Sequence, residues 1–501
     1  MRVLCPILPL SHRAVDALQW QALAQDLHQH GARLLTLWAD ADARAVCVLW
    51  LHADALLLAQ HDLPPGAMHY PGLHDLFPVA DRLQRGVRDL SGLHALGMDA
   101  RPWLRHTAWG EDSHPLRAPA LAAPPCGALA PDAYAFVAVD GEGVHEVPVG
   151  PVHAGVIEPG QFRFSVVGEK ILRLEERLGF THKGVEQRFA GMTLAEGVRL
   201  AARLCGDSAV ANAWAYCMAA EALAEISPPP RALHLRALLL ERERLANHLG
   251  DLGAIANDGG YGFALAQFGR LKEDLLRTNA RLFGARYLFD AVQVGGVAID
   301  LDADGVAMLR NQHVTLRREV QRLKAILDDH EGLQDRLRTT GRVRPELAQR
   351  LGLLGLAARA SGQALDLRTA PGFAPYAALG VEVAQAQDGD VAARVAVRFA
   401  EIATSLRLCD ALLDTLPAGA VRLDALQCVA PGLAVGLVEG WRGPQIMALQ
   451  AGEDGRIVRC HPHDPSWQNW PALEWAVIGD IVADFPLINK SFNLSYSGHD
   501  L

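Results

Sequence analysis

What the sequence lacks sets the first limits. It has eight cysteines among 501 residues, and no two stand in Cys-x-x-Cys spacing. That argues against a structural zinc site, an iron–sulfur cluster held by this chain alone, and a disulfide framework. The expected compartment is the reducing cytoplasm. No apolar run reaches the length of a membrane span: 51–63 is interrupted by histidines and aspartates, and 219–245 by prolines and charges. The opening MRVLCPILPLSH has one arginine and a short apolar stretch with two prolines, which is not the pattern of a signal peptide. Cationic runs are missing as well. Lys and Arg number 47 against 57 Asp and Glu, a formal net charge of -10, so nucleic acid has no electrostatic footprint to follow. No Gly-x-Gly-x-x-Gly joins a strand to a helix and no P-loop occurs, so direct binding of NADH or another nucleotide finds no support.

What is present is a chain long enough for two or three domains with sizeable cores. Half the residues are hydrophobic and 21% are charged, an ordinary globular balance. Residues 1–110 are predicted to form a small αβ unit. It has a helix over 15–30, two strands over 33–50 around a turn at Asp40–Asp42, and a second helix over 75–90 with Leu76, Val79, Leu83 and Val87 on one side. Residues 111–132, aperiodic and rich in alanine and proline, form a linker. A larger domain then fills 133–501. It begins with strands over 133–149 and 161–174. Helices follow, expected over 193–226, 232–252, 267–283, 303–328 and 390–416, before strands return at 433–441 and 445–449. The expected fold class is α+β: a small αβ domain joined by a linker to a mainly helical large domain.

The chain is organised around Arg203–Glu221, RLCGDSAVANAWAYCMAAE. A Cys-Gly-x-Ser turn opens a helix with so few charges that most of its circumference is expected to be buried. Cys205 at its head is either inert core, where free cysteine commonly sits, or a ligand aimed into a cavity. Two stretches bear on the choice: GPVHAGVIEPGQFRFSVVGEKILRLEERLGFTHKGVEQRF over 150–189 and DFPLINKSFNLSYSGHDL over 484–501. Between them stand Glu241, Arg244 and His248 in LERERLANHLGDL, Gly295-Gly296-Val297, and Glu439 followed by Arg442-Gly443. In this order they resemble the large subunit of membrane-bound, energy-converting NiFe hydrogenases of the formate hydrogenlyase type, and the homologous large core subunit of respiratory complex I. The first segment resembles the small hydrophilic core subunit of complex I through Arg85, Asp89, Gly92-Leu93 and Pro102-Trp103-Leu104-Arg105. That implies a docking domain fused ahead of the large one.

The hydrogenase resemblance implies a metal site, and the sequence departs from it at the ligands. In those hydrogenases Cys-Gly-x-Cys on the first helix and Asp-Pro-Cys-x-x-Cys near the C-terminus give four thiolates to nickel and iron. Here Cys205 holds the first position and Ser208 the second. Ser495 and Gly498 hold the last two, with Asn493-Leu494 in place of Asp-Pro. Bridging two metals demands soft, charged thiolates, which a serine hydroxyl does not replace. Cys217 lies twelve residues beyond Cys205, about 18 Å along a helix, and cannot substitute. The chain stops three residues after Gly498, without the tail that such hydrogenases lose once nickel enters. No nickel and no iron–sulfur cluster is expected on this chain.

Around the vacated position the resemblance singles out His153, Glu158 and Arg442. Asp207 is particular to this sequence, a charge favourable at a helix start. Glu158 reads as a solvated loop carboxylate or, if burial raises its pKa, as a proton relay. Arg442 either lines the cavity or pairs with Glu439. The candidate catalytic residues are Glu158, His153, Arg442 and Asp207, with Cys205, Ser208 and Ser495 lining the cavity. In complex I that cavity holds a quinone head group through a histidine and a tyrosine. Ile157 and Gly206 stand there instead, so a quinone would need a differently lined cavity. The resemblance implies an oxidoreductase subunit at the inner face of the cell membrane, bound to an iron–sulfur small subunit and to membrane ion-pumping subunits. Its work would be electron transfer to a quinone or other small acceptor, coupled to ion translocation. The rival is a non-catalytic coupling or scaffold subunit. A true NiFe hydrogenase is disfavoured by the ligand count.

Overall fold

The computed structural model describes residues 2–106, 109–110, 113–117, 134–154, 157–423 and 429–501. Apart from 113–117, the expected linker lies outside the described residues.

The chain opens with β1 (Val3–Leu4), which pairs in parallel with a strand near residue 433 rather than with its neighbours. The small unit is a sheet of β2 (Leu10–Val15), β3 (Arg33–Ala39), β4 (Ala45–His52) and β5 (Ala55–Asp62) in the order β2-β5-β4-β3. α1 (Ala17–Gln29) starts at a capping box of Asp16 and Gln19. α2 (Ala80–Ser91) packs on β3. It begins later than the expected residue 75: Phe77 N–H closes a single turn on the Leu73 carbonyl at 2.8 Å, and Pro78 has no N–H to extend it. It stops at Gly92, whose φ of 76° is left-handed.

The rest of the chain opens with β6 (Val144–Val149), β7 (Gln161–Val167) and β8 (Lys170–Arg177), an antiparallel sheet with β7 central. Only the second of the two strands expected in 133–149 forms. Residues 134–140 run unpaired, with Tyr134 and Phe136 beneath the guanidiniums of Arg177 and Arg163. The helix expected over 193–226, through the Cys205 turn, is two helices, α3 (Leu194–Ala201) and α4 (Ala209–Leu223), and the Cys-Gly-x-Ser turn does open the second of them. Between them the chain folds in tight turns, with Leu204 N–H on the Ala201 carbonyl and Ser208 N–H on that of Cys205, both at 3.2 Å. Glycine, aspartate and serine in succession favour such turns over a helix interior. α4 is buried at every residue but Ala222.

Beyond it run α5 (Pro230–Asp258), α6 (Gly262–Phe283), α7 (Ala303–Asp328), α8 (Gly355–Ala360) and α9 (Val391–Asp414). α5 is longer than expected at both ends and takes Pro230 in its first turn, where the missing N–H costs nothing. It lies against α6 and α9. The second sheet joins β1 to β9 (Gly432–Glu439), β10 (Pro444–Ala451) and β11 (Ile457–His463) in the order β1-β9-β10-β11. α4 lies on β9 and β10. A Cβ at Gly436 would sit 1.9 Å from the Ala215 carbonyl oxygen, so the approach of helix to sheet depends on glycine there. α10 (Ser466–Ala476), α11 (Phe485–Phe492) and α12 (Tyr496–Asp500) complete the chain.

The motif residues of the first segment bind one another and then the C-terminus. Asp89 Oδ2 accepts the N–H groups of Trp103, Leu104 and Arg105 at 2.7, 2.7 and 3.0 Å. Arg85 donates to the carbonyls of Arg101 and Pro102. The loop so held directs the Trp103 indole N–H at His499 Nε2, 3.2 Å away, while His499 stacks on Trp467. One continuous hydrophobic core runs through both segments, from Leu8 to Leu501. Among the described residues no helix is long and apolar enough to cross a membrane.

Candidate functional site

The turn between α3 and α4 meets the Gly440–Gly443 turn after β9 and the segment joining α11 to α12. Arg442 grips Asp207 with both ends of its fork, Nη1 to Oδ1 at 2.6 Å and Nη2 to Oδ2 at 2.7 Å. Its Nε donates to the Asn493 carbonyl at 2.6 Å, and its guanidinium lies 4.0 Å above the Trp441 ring. The turn bearing Asp207 is fixed from behind. Its carbonyl accepts the Trp441 indole N–H at 2.9 Å and the Asn247 amide at 2.7 Å.

Cys205 Sγ donates to Asp207 Oδ1 at 2.9 Å, and Ser495 Oγ lies 2.9 Å from the sulfur. Ser208 Oγ accepts from Arg442 Nη1 at 3.4 Å. Burial pushes the Cys205 thiol well above its ordinary range, and the Asp207 anion adds to this more than Arg442 relieves it. The sulfur is therefore a neutral S–H donor. Burial would raise Asp207 too, but the Arg442 guanidinium outweighs it and holds the carboxyl at about 2.

Ser495 caps α12, accepting the Gly498 N–H at 2.8 Å. Its own N–H is tied to Ser466 Oγ at 2.9 Å. At Gly498 a Cβ would stand 2.7 Å from Asp464 Oδ2 and 2.9 Å from Ser495 Oγ. Asp464 is in turn fixed by Gln445 Nε2 at 2.9 Å and Ser466 N–H at 2.8 Å. The donors that converge here are one protonated thiol, two hydroxyls and a carboxylate already occupied by arginine. That set does not fit a nickel–iron centre, which needs charged thiolates. Among the described residues no group of three or more His, Cys, Asp and Glu side chains is arranged to hold a metal ion.

Of the residues singled out by sequence, Cys205, Asp207, Ser208, Arg442 and Ser495 come together. Glu158 sits one step outward: its carboxylate accepts from the hydroxyl of Ser497 and, at 3.4 Å, from its N–H. His153 turns away into its own loop, with Nε2 2.7 Å from the Gly160 carbonyl and its ring beside Phe162. Of the two readings of Arg442, the pairing with Glu439 does not form, because Asp207 satisfies the guanidinium. Asp207 does stand at the start of α4, next to the N-cap Ser208, and its carboxylate is turned to Arg442.

Sequence reasoning missed Trp441, Asn493, Asn247 and Glu243. Asn493 ends α11 in the left-handed region, φ 47°, a conformation asparagine tolerates. Glu243 accepts the N–H groups of Val210 and Ala211, the first turn of α4, at 2.7 and 3.1 Å. Burial pushes it up to about 8 against the pull of those donors. Glu243 and Asn247 stand four apart, on one face of α5; that spacing beside the Glu241–Arg244–His248 set was the available signal.

Behind the site lies a second buried cluster. Arg359 bridges Glu401 and Glu439, at 2.8 Å each. Arg368 clamps Asp366 and reaches Glu241 at 3.1 Å. Arg244 contacts Glu241 and Glu401 at 3.3 and 3.4 Å and donates to the Glu439 and Gly440 carbonyls. His248 Nε2 lies 2.8 Å from Glu401.

Residues 259–434 match the family model of the respiratory-chain NADH dehydrogenase 49 Kd subunit. Formate hydrogenlyase subunit 5 of Escherichia coli (strain K12) is 33% identical over 436 residues, 86% of this chain and 77% of that protein. The carbon monoxide-induced hydrogenase of Rhodospirillum rubrum is 31% identical over 353 residues, 70% of this chain and 97% of that one. Among solved structures, a chain of the membrane-bound sulfane sulfur reductase, an archaeal respiratory membrane complex, superposes with a TM-score of 0.68 at 25% identity, covering 72% of this chain and 98% of that one. These likenesses make the protein a hydrogenase- or complex I-type core subunit of a membrane respiratory complex: the chain belongs to the family shared by the large subunits of formate hydrogenlyase-type hydrogenases and the 49-kDa subunit of respiratory complex I.

Proposed function

We propose that this chain is an oxidoreductase subunit whose NiFe position holds no metal. It takes part in passing electrons from the clusters of an iron–sulfur partner to a quinone or another small acceptor, coupled to ion translocation by membrane subunits. The observation that carries this reading is the Arg442–Asp207 fork with the neutral Cys205 thiol beside it. A cation and an anion that satisfy each other occupy the ground where charged sulfur would be needed, and no side chain fits at 498 without moving Asp464. The names of the relatives run from hydrogenases to a sulfane sulfur reductase, so the fold is not bound to hydrogen chemistry.

In this reading Arg442 and Asp207 orient a polar acceptor through a charged fork. Glu158, at the rim beside Ser497, carries protons to it. His153 shapes the Glu158 loop through its bond to Gly160. Residues 1–110 dock the large domain to its partners, and the assembly sits peripherally on the inner face of the cell membrane. A non-catalytic coupling subunit is the second reading. The observation that favours it is that Cys205, Asp207, Ser495 and Arg442 bond one another rather than stand open.

Elemental analysis of the purified native complex, with dye-linked hydrogen uptake, is the test. Nickel far below one atom per chain and no hydrogen uptake are expected; nickel near one per chain, or uptake, overturns the proposal. Acceptor reduction abolished by Asp207→Ala would favour turnover at the site, and unchanged rates would favour the coupling subunit.

A further inference from the structure

We propose that the buried cluster behind the site holds one labile proton, shared between Glu439 and His248, and serves as the proton store of the Cys205–Asp207–Arg442 site. The store as such stands on the geometry alone; its use in turnover rests on the redox reading above.

Charge in the cluster does not balance. α5 contributes Glu241, Arg244 and His248, and α8 contributes Arg359. The following loop contributes Asp366 and Arg368, α9 contributes Glu401, and β9 ends on Glu439. None of these is more than 2% exposed. That makes four carboxyl groups against three guanidiniums. The neighbouring charges do not correct the imbalance. Asp207 is matched by Arg442 and Asp251 by Arg398 at 2.9 Å. Glu243, pushed up to about 8 by burial, is a neutral acid at pH 7 turned to the first turn of α4 and adds no charge to the count. Tyr376 and Ser405 are neutral donors to Glu241, at 2.7 and 2.6 Å. A lone uncompensated charge in such an interior costs several kcal/mol, and a buried group in that position binds a proton instead.

Two places can take that proton. Glu241 is satisfied by Arg368, Arg244, Tyr376 and Ser405; Asp366 by both ends of Arg368; Glu401 by Arg359, Arg244 and His248. Glu439 has the thinnest support, Arg359 at 2.8 Å and the Leu367 N–H at 3.3 Å. His248 spends Nε2 on Glu401, while its buried Nδ1 has no partner. The electrostatics favour Glu439 over His248. Burial and then Asp366 push Glu439 up to about 7. Burial lowers His248, and Glu401 is held far down by its cations despite its own burial. The reaction is proton binding alone: the Glu439 carboxylate accepts H⁺ to become the acid, and gives it back.

The store is wired to the site by backbone. Arg244 holds the Glu439 and Gly440 carbonyls, and the turn closes on itself through Gly440 N–H to the Gly443 carbonyl at 2.9 Å. That turn carries Arg442. The His248 ring lies 6.2 Å from the Trp441 ring, whose N–H holds Asp207. Negative charge arriving at the site, with the partner's iron–sulfur cluster as donor, raises the proton affinity of the cluster.

Infrared spectroscopy of the native complex tests both parts. In the resting protein, beside the bands of other buried acids such as Glu243, one protonated-carboxyl component shifted by D₂O is expected to titrate near neutral pH, to be lost in Glu439→Gln and to be kept in Glu243→Gln. Absence of that component, or its persistence in Glu439→Gln, overturns the store. Should Glu439→Gln fail to assemble, His248→Gln is the second variant. It is expected to shift the midpoint of the band, and an unmoved midpoint overturns sharing. In the reduced-minus-oxidised spectrum the same band is expected to gain intensity. A band that titrates but ignores reduction leaves the proton in place and overturns its service to the site.

Discussion

Two charge assemblies flank the Gly440–Gly443 turn, and they meet burial in different ways. On one side Asp207 and Arg442 match one to one, through two short parallel hydrogen bonds, with Asp207 still 31% exposed. On the other, four carboxyls and three guanidiniums are enclosed almost completely. The matched pair keeps its protonation fixed over the physiological range and, by keeping Asp207 ionised, keeps the adjacent thiol silent. The unmatched cluster cannot settle its charge internally and must draw on solvent protons. Fixed recognition and variable protonation are thus separated by three residues of backbone, a division that suits a site where charge comes and goes.

The comparison can be broken most forcefully at Arg359. Arg359→Leu strands Glu401 and Glu439 together without their bridge, and the loss of one partner from a buried ionic network costs about 3–5 kcal/mol. Urea unfolding of the chain is expected to show a loss of that size. A loss below about 1 kcal/mol would mean that the cluster does not depend on its cations as a buried network should.

Asp207→Asn sharpens the contrast from the other side. It releases Arg442 to face the sulfur, so the Cys205 thiol pKa falls. Each drop of about one in that pKa enlarges the thiolate fraction roughly tenfold, and alkylation at neutral pH is expected to accelerate in step. An unchanged rate would show that Asp207 does not govern the thiol. The same variant alters acid stability. The folded pKa of Asp207, about 2, lies below the ordinary 3.8. The pair's contribution is therefore fully present above pH 4 and lost as pH falls from about 4 to about 2. The wild type is expected to lose about 1–2 kcal/mol in that window that Asp207→Asn does not; parallel acid-unfolding curves would contradict it.

Ser495→Ala is the mildest probe. It removes the cap of α12 and the oxygen beside Cys205, and it leaves the cluster untouched. A loss of about 1 kcal/mol by thermal melting is expected, with the Glu439 band unmoved. A larger loss, or a moved band, would join the two assemblies that the geometry keeps apart.

Much of this arrangement is legible in the chain. Cys205, Ser208, Ser495 and Arg442 can be brought together on paper because their motifs stand in a recognisable order, and periodicity alone bounds α7 to the residue. The rest depends on contacts between residues far apart in sequence. Asp207 reads as a helix-start charge until Arg442, 235 positions away, comes within its reach. Glu439 is a natural partner for Arg442, three residues on, but the strand end turns it to Arg359 instead. The stretch over 193–226 reads as one helix because its apolar residues keep a helical period across 202–208. Period records which face is buried, not whether the backbone turns between faces. His153 belongs to a motif and still faces away, since its ring finds a carbonyl within its own loop.

Gly498 has a consequence for the order in which this protein can change. A Cβ at that position would meet the Asp464 carboxylate at 2.7 Å, and Asp464 also accepts the N–H of Ser466, whose hydroxyl holds Ser495. A designer seeking a thiol at 498 must first shorten residue 464, and must then resettle the segment that positions 495. The opposite route, toward glycine, asks nothing of its neighbours. Substitution at 498 therefore behaves as a ratchet: once Asp464 has closed over it, single steps lead away from a side chain there, and only a coordinated pair leads back.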